Sequence, residues 1–245
     1  MARSFTYSAL TLRVKPSGES NRDAWFLTAE EGLLKATVFG GPKSKLRAHV
    51  ASFNQGMLWI YHDPIRDSRK VSDFDVKNWR PGLRELFQRA MAADALAETI
   101  LASLGSGGSF PHALDMAGLT LDALDTADEK TCARILIHFL WNWADLLGVQ
   151  PDLHHCSSCA CEVPRDGILW YDTREDALLC QNCSPGDGIT AGPGARLWLN
   201  AVEDLQPQAL SRISLDEVSL AQAKALTTAI LTGALGKRLT TWDNV

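Results

Sequence analysis

The chain is 245 residues long and 46% hydrophobic, enough to bury a sizeable core and to form two or three compact units. Its net charge of −5 hides an asymmetry, since residues 1–80 carry 13 Lys and Arg against 8 Asp and Glu while the other 165 carry 11 against 21. No signal-peptide h-region opens the chain, and polar residues break its apolar stretches short of a membrane span. Secreted and membrane classes are therefore set aside for a soluble, cytoplasmic protein with reduced thiols. The basic first module suggests a polyanionic partner, although a surplus of five also fits a plain solvated face.

The first eighty residues read as short strands between turn signals: Phe5 to Val14, Trp25 to Thr28, Leu33 to Phe39, Gly56 to His62 and Lys70 to Trp79. Five strands at this spacing fit a small closed antiparallel barrel such as an OB-fold, with an SH3-like barrel as the other arrangement of the same periodicity. Gly40-Gly41-Pro42 opens a basic stretch, Lys43-Ser44-Lys45-Leu46-Arg47, read as an exposed loop.

At Pro81-Gly82 the hydrophobic period switches to 3.6, with Leu83, Leu86, Phe87 and Ala90 on one face of a helix continuing to Leu104. Glycines at 105–108 form a connector. Pro111 starts a second helix reaching Leu124, and a third spans Asp128 to Leu147, stopped by Gly148. Ala195 to Asp204 and Ser214 to Leu235 are the closing helices.

Between them lie Cys156-Ser-Ser-Cys159 and Cys180-Gln-Asn-Cys183, with twenty residues separating the pairs. Two CxxC turns aim four thiolates at one point, the ligand set of a closed tetrahedral zinc site that would staple the fold and leave no position for water. A redox dithiol is the main rival and an iron–sulfur cluster a weaker one. Cys161, His154 and His155 read as spectators, Trp170-Tyr171 as a strand between the knuckles, and Cys132 as a buried free thiol.

Motifs that declare an enzyme are missing: there is no P-loop, HExxH, GxSxG or strand-linked GxGxxG. Asp73 with Asp75, and Asp122 with Asp125, read as solvated surface carboxylates, and His138 as a hydrogen-bonded, partly buried ring.

Several segments, taken in order, resemble the RecO family of recombination mediators: residues 12–20 (LRVKPSGES), 28–34 (TAEEGLL), 43–47 (KSKLR), 53–56 (FNQG) and 147–153 (LGVQPDL) before Cys156. The resemblance covers nearly the whole chain. It implies an α+β multidomain protein: an N-terminal OB-fold β-barrel over 1–80, an α-helical domain over 81–150 and 194–245, and an inserted four-cysteine zinc-binding module over 151–193. It further implies a non-enzymatic, nucleoid-associated protein that binds single- and double-stranded DNA and anneals complementary strands. With RecR as partner it would help place recombinase on strands coated by single-strand-binding protein (SSB), whose C-terminal tail docks on the helical domain. The chain departs from the family pattern at Gly40-Gly41-Pro42, where more arginines are usual, and in the strand from Lys70, which suggests a weaker or shifted DNA face. The competing assignment is an OB-fold and zinc-ribbon nucleic-acid-binding regulator without a recombination role.

For phosphate contacts the candidates are Arg13, Lys15, Arg22, Lys35, Lys43, Lys45 and Arg47, with the loop trio 43, 45 and 47 foremost and Arg66, Arg69 and Lys70 as a second group. Trp25, Trp59 and Trp79 are candidates for base stacking, against core placement as the commoner fate of such rings. Arg134 beside Phe139 and Trp143 is the expected SSB-tail pocket, and Cys156, Cys159, Cys180 and Cys183 are the expected metal ligands.

Overall fold

A computed structural model of the chain describes residues 3–41, 44–104, 110–184 and 186–244. They form two compact units, Met1–Thr126 and Ala127–Val245. The glycine connector at 105–108 and Lys43 lie outside the described residues.

In the first unit, β1 (Arg3–Ser17), β2 (Asn21–Thr28), β3 (Gly32–Val38), β4 (Gln55–Asp63) and β5 (Ser68–Asn78) close a barrel in the order β1-β2-β3-β5-β4. The long β1 makes closure possible. Its first half pairs with β4 and its second with β2, and the register shifts between Thr11 and Arg13, where the strand bends from one partner to the other. β3 meets β5 in parallel, and a short helix α1 (Lys45–His49) joins β3 to β4, so the topology is that of an OB-fold. Alternate residues Ala24 and Phe26 on β2, and Leu34, Ala36 and Val38 on β3, fill the interior, where Phe26 meets Phe74 edge-on at 6.1 Å.

The unit extends past the barrel to include α2 (Phe87–Ser103) and α3 (Pro111–Thr126), beyond the boundary expected at residue 80. Arg80, in a left-handed conformation (φ 45°), supplies the joint. Its buried guanidinium donates to Phe53 O (2.8 Å), Gln55 Oε1 (2.7 Å), Gly118 O (3.2 Å) and Asp122 Oδ1 (2.6 Å). A Cβ at Gly118 would come within 2.8 Å of Gln55 Oε1 and displace the amide that Arg80 engages. Asp122 and Asp125 are therefore half-buried residues of the joint and not free surface carboxylates: Asp125 Oδ1 accepts from Leu83 N at 3.0 Å. The helix expected from Leu83 begins instead at Phe87, after a 3-10 turn over Pro81–Arg84 that buries Leu83 and leaves Phe87 65% exposed.

In the second unit, α4 (Glu129–Leu146), α5 (Pro193–Val202) and α6 (Glu217–Leu235) pack with a small sheet of order β7-β6-β8, made of β6 (Leu169–Asp172), β7 (Ala177–Leu179) and β8 (Ile189–Ala191). Asp128 and Asp216 cap α4 and α6 by accepting from Thr131 N (2.8 Å) and Ser219 N (2.9 Å). By length and composition α6 could cross a bilayer, with a mean hydropathy of 1.2. One face of it, including Leu226, Ile230 and Leu231, is nonetheless buried in the unit, where it packs on α4 and β8.

Candidate metal centre and nucleic-acid interface

The cysteine pairs sit on two tight turns that the small sheet brings together. In the first, Ala160 N donates to Cys156 O (2.9 Å) and Cys156 N to Cys161 O (3.0 Å), with Ala160 left-handed (φ 55°) to reverse the chain. Ser157 N donates to Leu178 O (2.8 Å), and its hydroxyl accepts from Leu178 N (3.2 Å). This fastens the first turn to β7, whose end leads directly into Cys180. The second turn closes through Cys183 N and Ser184 N, both donating to Cys180 O.

The Sγ atoms of Cys156, Cys159, Cys180 and Cys183 all lie within 4.8 Å of one another, and those of Cys159 and Cys180 are 3.8 Å apart. A tetrahedron with metal–sulfur bonds of about 2.3 Å has edges of about 3.8 Å, so the donor set fits a four-coordinate thiophilic ion. Burial pushes the Cys156 thiol up, but N–H donors from Cys159, Cys180 and Ser158 outweigh it and bring it down to about 6. Cys183 is pushed up to about 12, chiefly by the sulfurs of Cys159 and Cys180. Four crowded sulfurs resist joint ionisation without a cation among them. Cys161 contacts Cys159 and Cys180 from outside the four. His155 Nδ1 is 2.7 Å from Asp152 Oδ2 and His154 Nε2 is 3.0 Å from Asn200 Oδ1, so both rings have other partners.

A second buried cation anchors this module. Arg196 on α5 is 5% exposed and donates to Leu153 O (3.0 and 2.7 Å), Gly167 O (2.6 Å), Pro164 O (3.2 Å) and Val163 O (3.4 Å). Nothing in the local sequence distinguishes it from a surface arginine.

On the barrel, inward Leu34, Ala36 and Val38 leave Lys35, Thr37 and Phe39 outward, beside Trp25 of β2 and Lys15 of β1. The ammonium of Lys35 lies 5.1 Å from the centre of the Trp25 ring and that of Lys15 6.0 Å, while Lys70 of β5 sits 5.0 Å over Phe39, which is 45% exposed. One patch of the outer surface of β1, β2, β3 and β5 thus sets three lysines beside two aromatic rings. Phe39 is a further stacking candidate that the sequence reading misses, although strand parity alone places it outside.

The remaining candidates divide. Lys45 is exposed on α1, while Arg47 on the same helix is half-buried. The expected basic loop is instead helical over Lys45–His49, with Leu46 packed against the barrel core. Arg22 lies close enough to Arg47 that burial, and then the neighbouring charge, hold its guanidinium below the usual value. Arg13 faces Asp94 of α2, whose carboxyl burial pushes up against the pull of Arg13. Arg69 pairs with Glu31 at 3.3 Å, and Arg66 is exposed in the β4–β5 turn. Trp25, Trp59 and Trp79 all stand outside the core cluster; Trp79 is 46% exposed and meets His49 edge-on at 5.4 Å. Arg134 forms no pocket with Phe139 and Trp143: it donates to Ile213 O and to Thr131 Oγ1 (2.9 Å), and both rings are fully buried. His138 is buried, with Nε2 3.0 Å from Leu205 O, and burial lowers its pKa.

Fold and sites together define an OB-barrel protein with a four-cysteine module that could hold a metal ion. The family profile described as Recombination protein O N terminal matches residues 1–78, and that described as Recombination protein O C terminal matches residues 84–243. The chain belongs to the RecO family. It is 28% identical over 174 residues to the DNA repair protein RecO of Thermosynechococcus vestitus, a match covering 69% of this chain and 62% of that protein. The RecO proteins of Anaeromyxobacter dehalogenans (27% over 237 residues) and Desulfitobacterium hafniense (23% over 242) align with 95% and 96% of the chain, and with 92% and 86% of their own lengths.

Proposed function

We propose that this protein is a non-enzymatic, cytoplasmic mediator of DNA repair and recombination. It binds single- and double-stranded DNA, anneals complementary strands, and with RecR helps load recombinase onto SSB-coated strands. The observation that carries this reading is the outward barrel face, where Lys15, Lys35 and Lys70 interleave with Trp25 and Phe39. Lysines neutralise phosphates and rings stack on bases of any identity, so such a face holds a strand without reading its sequence. Annealing follows when two strands lose their mutual repulsion on one cationic surface. The four-cysteine centre would hold zinc. Four thiolates leave it no open position, which assigns it to folding and not to chemistry.

For the SSB tail, an acidic and apolar peptide, the second unit offers a cleft of about 440 Å³ whose walls include Ala225, Ala229 and Trp242, with Lys224, Arg238 and a single carboxylate, Asp176, at its lining. Apolar walls with two cations suit that ligand, unlike the packed surroundings of Arg134.

The test is annealing of complementary oligonucleotides, bare and SSB-coated, by wild type and by K15A/K35A/K70A. Lost phosphate contacts at Lys15 and Lys70, with little from Lys35 because it is already paired with Asp23, should lower the salt slope on single strands by about 1.4 and slow annealing with the fold intact. Annealing no faster than the spontaneous rate would refute the mediator reading in favour of a plain binder.

A further inference from the structure

One carboxylate lies within the cationic barrel face, and the DNA reading leaves it without a role. Asp23 on β2 accepts from Lys35 Nζ at 2.8 Å and from Thr37 Oγ1 at 3.1 Å. The hydrogen bond from Lys35 is the main cause holding the Asp23 carboxyl below the usual carboxylate range, so it is ionised at neutral pH. An ammonium and a hydroxyl, both drawn from the neighbouring strand β3, converge on one anion. This is a donor set that also suits a backbone phosphate oxygen. Lys35, the most central cation of the face, is thereby engaged before any ligand arrives, yet its side chain stays 54% exposed and within reach of Trp25.

We propose that Asp23 is a built-in phosphate surrogate: it occupies Lys35 in the free protein and is displaced by a DNA phosphate on binding. The inference rests on the reading of this face as the DNA site. Exchange of one anion for another on Lys35 makes its net contribution to affinity small, because a contact is lost for the one gained. A strand held in this way leaves easily, as annealing requires, since the product duplex must be released.

The test is single-strand affinity as a function of salt for wild type, D23N, K35Q and D23N/K35Q, with thermal unfolding of each. D23N keeps the shape and an acceptor oxygen but removes the charge, and D23S serves as a second variant should D23N unfold. Freeing Lys35 should tighten binding at low salt by about fivefold, the upper range for an exposed ion pair, and steepen the salt slope by about 0.7. In the K35Q background the same change should give little or no gain. Unchanged or weaker binding by D23N would overturn the proposal and leave Asp23 as a cross-strand pin. An equal gain in both backgrounds would overturn it in favour of general charge repulsion. Neither result touches the DNA reading, which fails separately if K15A/K70A binds as tightly as wild type.

Discussion

Replacing Arg196 by Met keeps the aliphatic stem and removes the guanidinium that gathers four carbonyls around α5. Two of those carbonyls belong to buried residues, Leu153 and Val163, while Pro164 is exposed and Gly167 half-buried, so water can satisfy the latter pair. An unsatisfied buried acceptor costs about 1–2 kcal/mol, which puts the loss at about 3 kcal/mol for the second unit. With a urea m-value of about 2–3 kcal/mol/M, the midpoint should fall by about 1–1.5 M. Tryptophan fluorescence reports it directly, since Trp198 is buried two residues along the same helix. Arg196→Lys should recover less than half the loss, because one ammonium cannot span a set of carbonyls that a planar fork reaches. A midpoint within about 0.2 M of wild type for the Met variant, or full recovery by Lys, would show that the carbonyls find other donors and that Arg196 is no anchor.

Cys180→Ser should abolish metal retention and lower the melting midpoint of the second unit by roughly 10 °C or more, whereas Cys161→Ser should leave the metal content unchanged by elemental analysis. Asp128→Ala should cost about 1 kcal/mol at pH 7 by removing the cap of α4. The Thr131 side chain and then its backbone N–H hold the Asp128 carboxyl below its usual range. The depressed folded value means the stabilisation is complete above the unfolded carboxylate pKa and is lost as pH falls through the folded one. Denaturation curves of variant and wild type should therefore draw together as the pH is lowered beneath the ordinary carboxylate range.

Periodicity is enough to place the barrel strands and the long helices, but not the short strands β7 and β8. The alternating apolar residues of β2 and β3, and the 3.6-residue spacing on α4, are local patterns that state which side of an element avoids water, and tertiary packing does not reverse them. The cysteine pairs are legible for a related reason: a CxxC turn fixes two sulfurs locally, so only the meeting of two turns needs the fold. The end of the barrel is harder to read. Lys45 and Arg47 read as a loop because a five-residue helix carries too little periodicity to register.

What the amino-acid sequence determined unaided is the five barrel strands, the long helices, the basic character of the first module and the pairing of the four cysteines on two turns, since each depends on neighbours close along the chain. Tertiary structure alone decided which cations share a face, that Asp23 lies among them, and that Arg80 and Arg196 are buried hubs. Each of those outcomes depends on carbonyls, carboxylates or rings that become neighbours only when segments distant in sequence pack together. A guanidinium carries the same charge in solvent or in a core, so residue type cannot reveal which it will be.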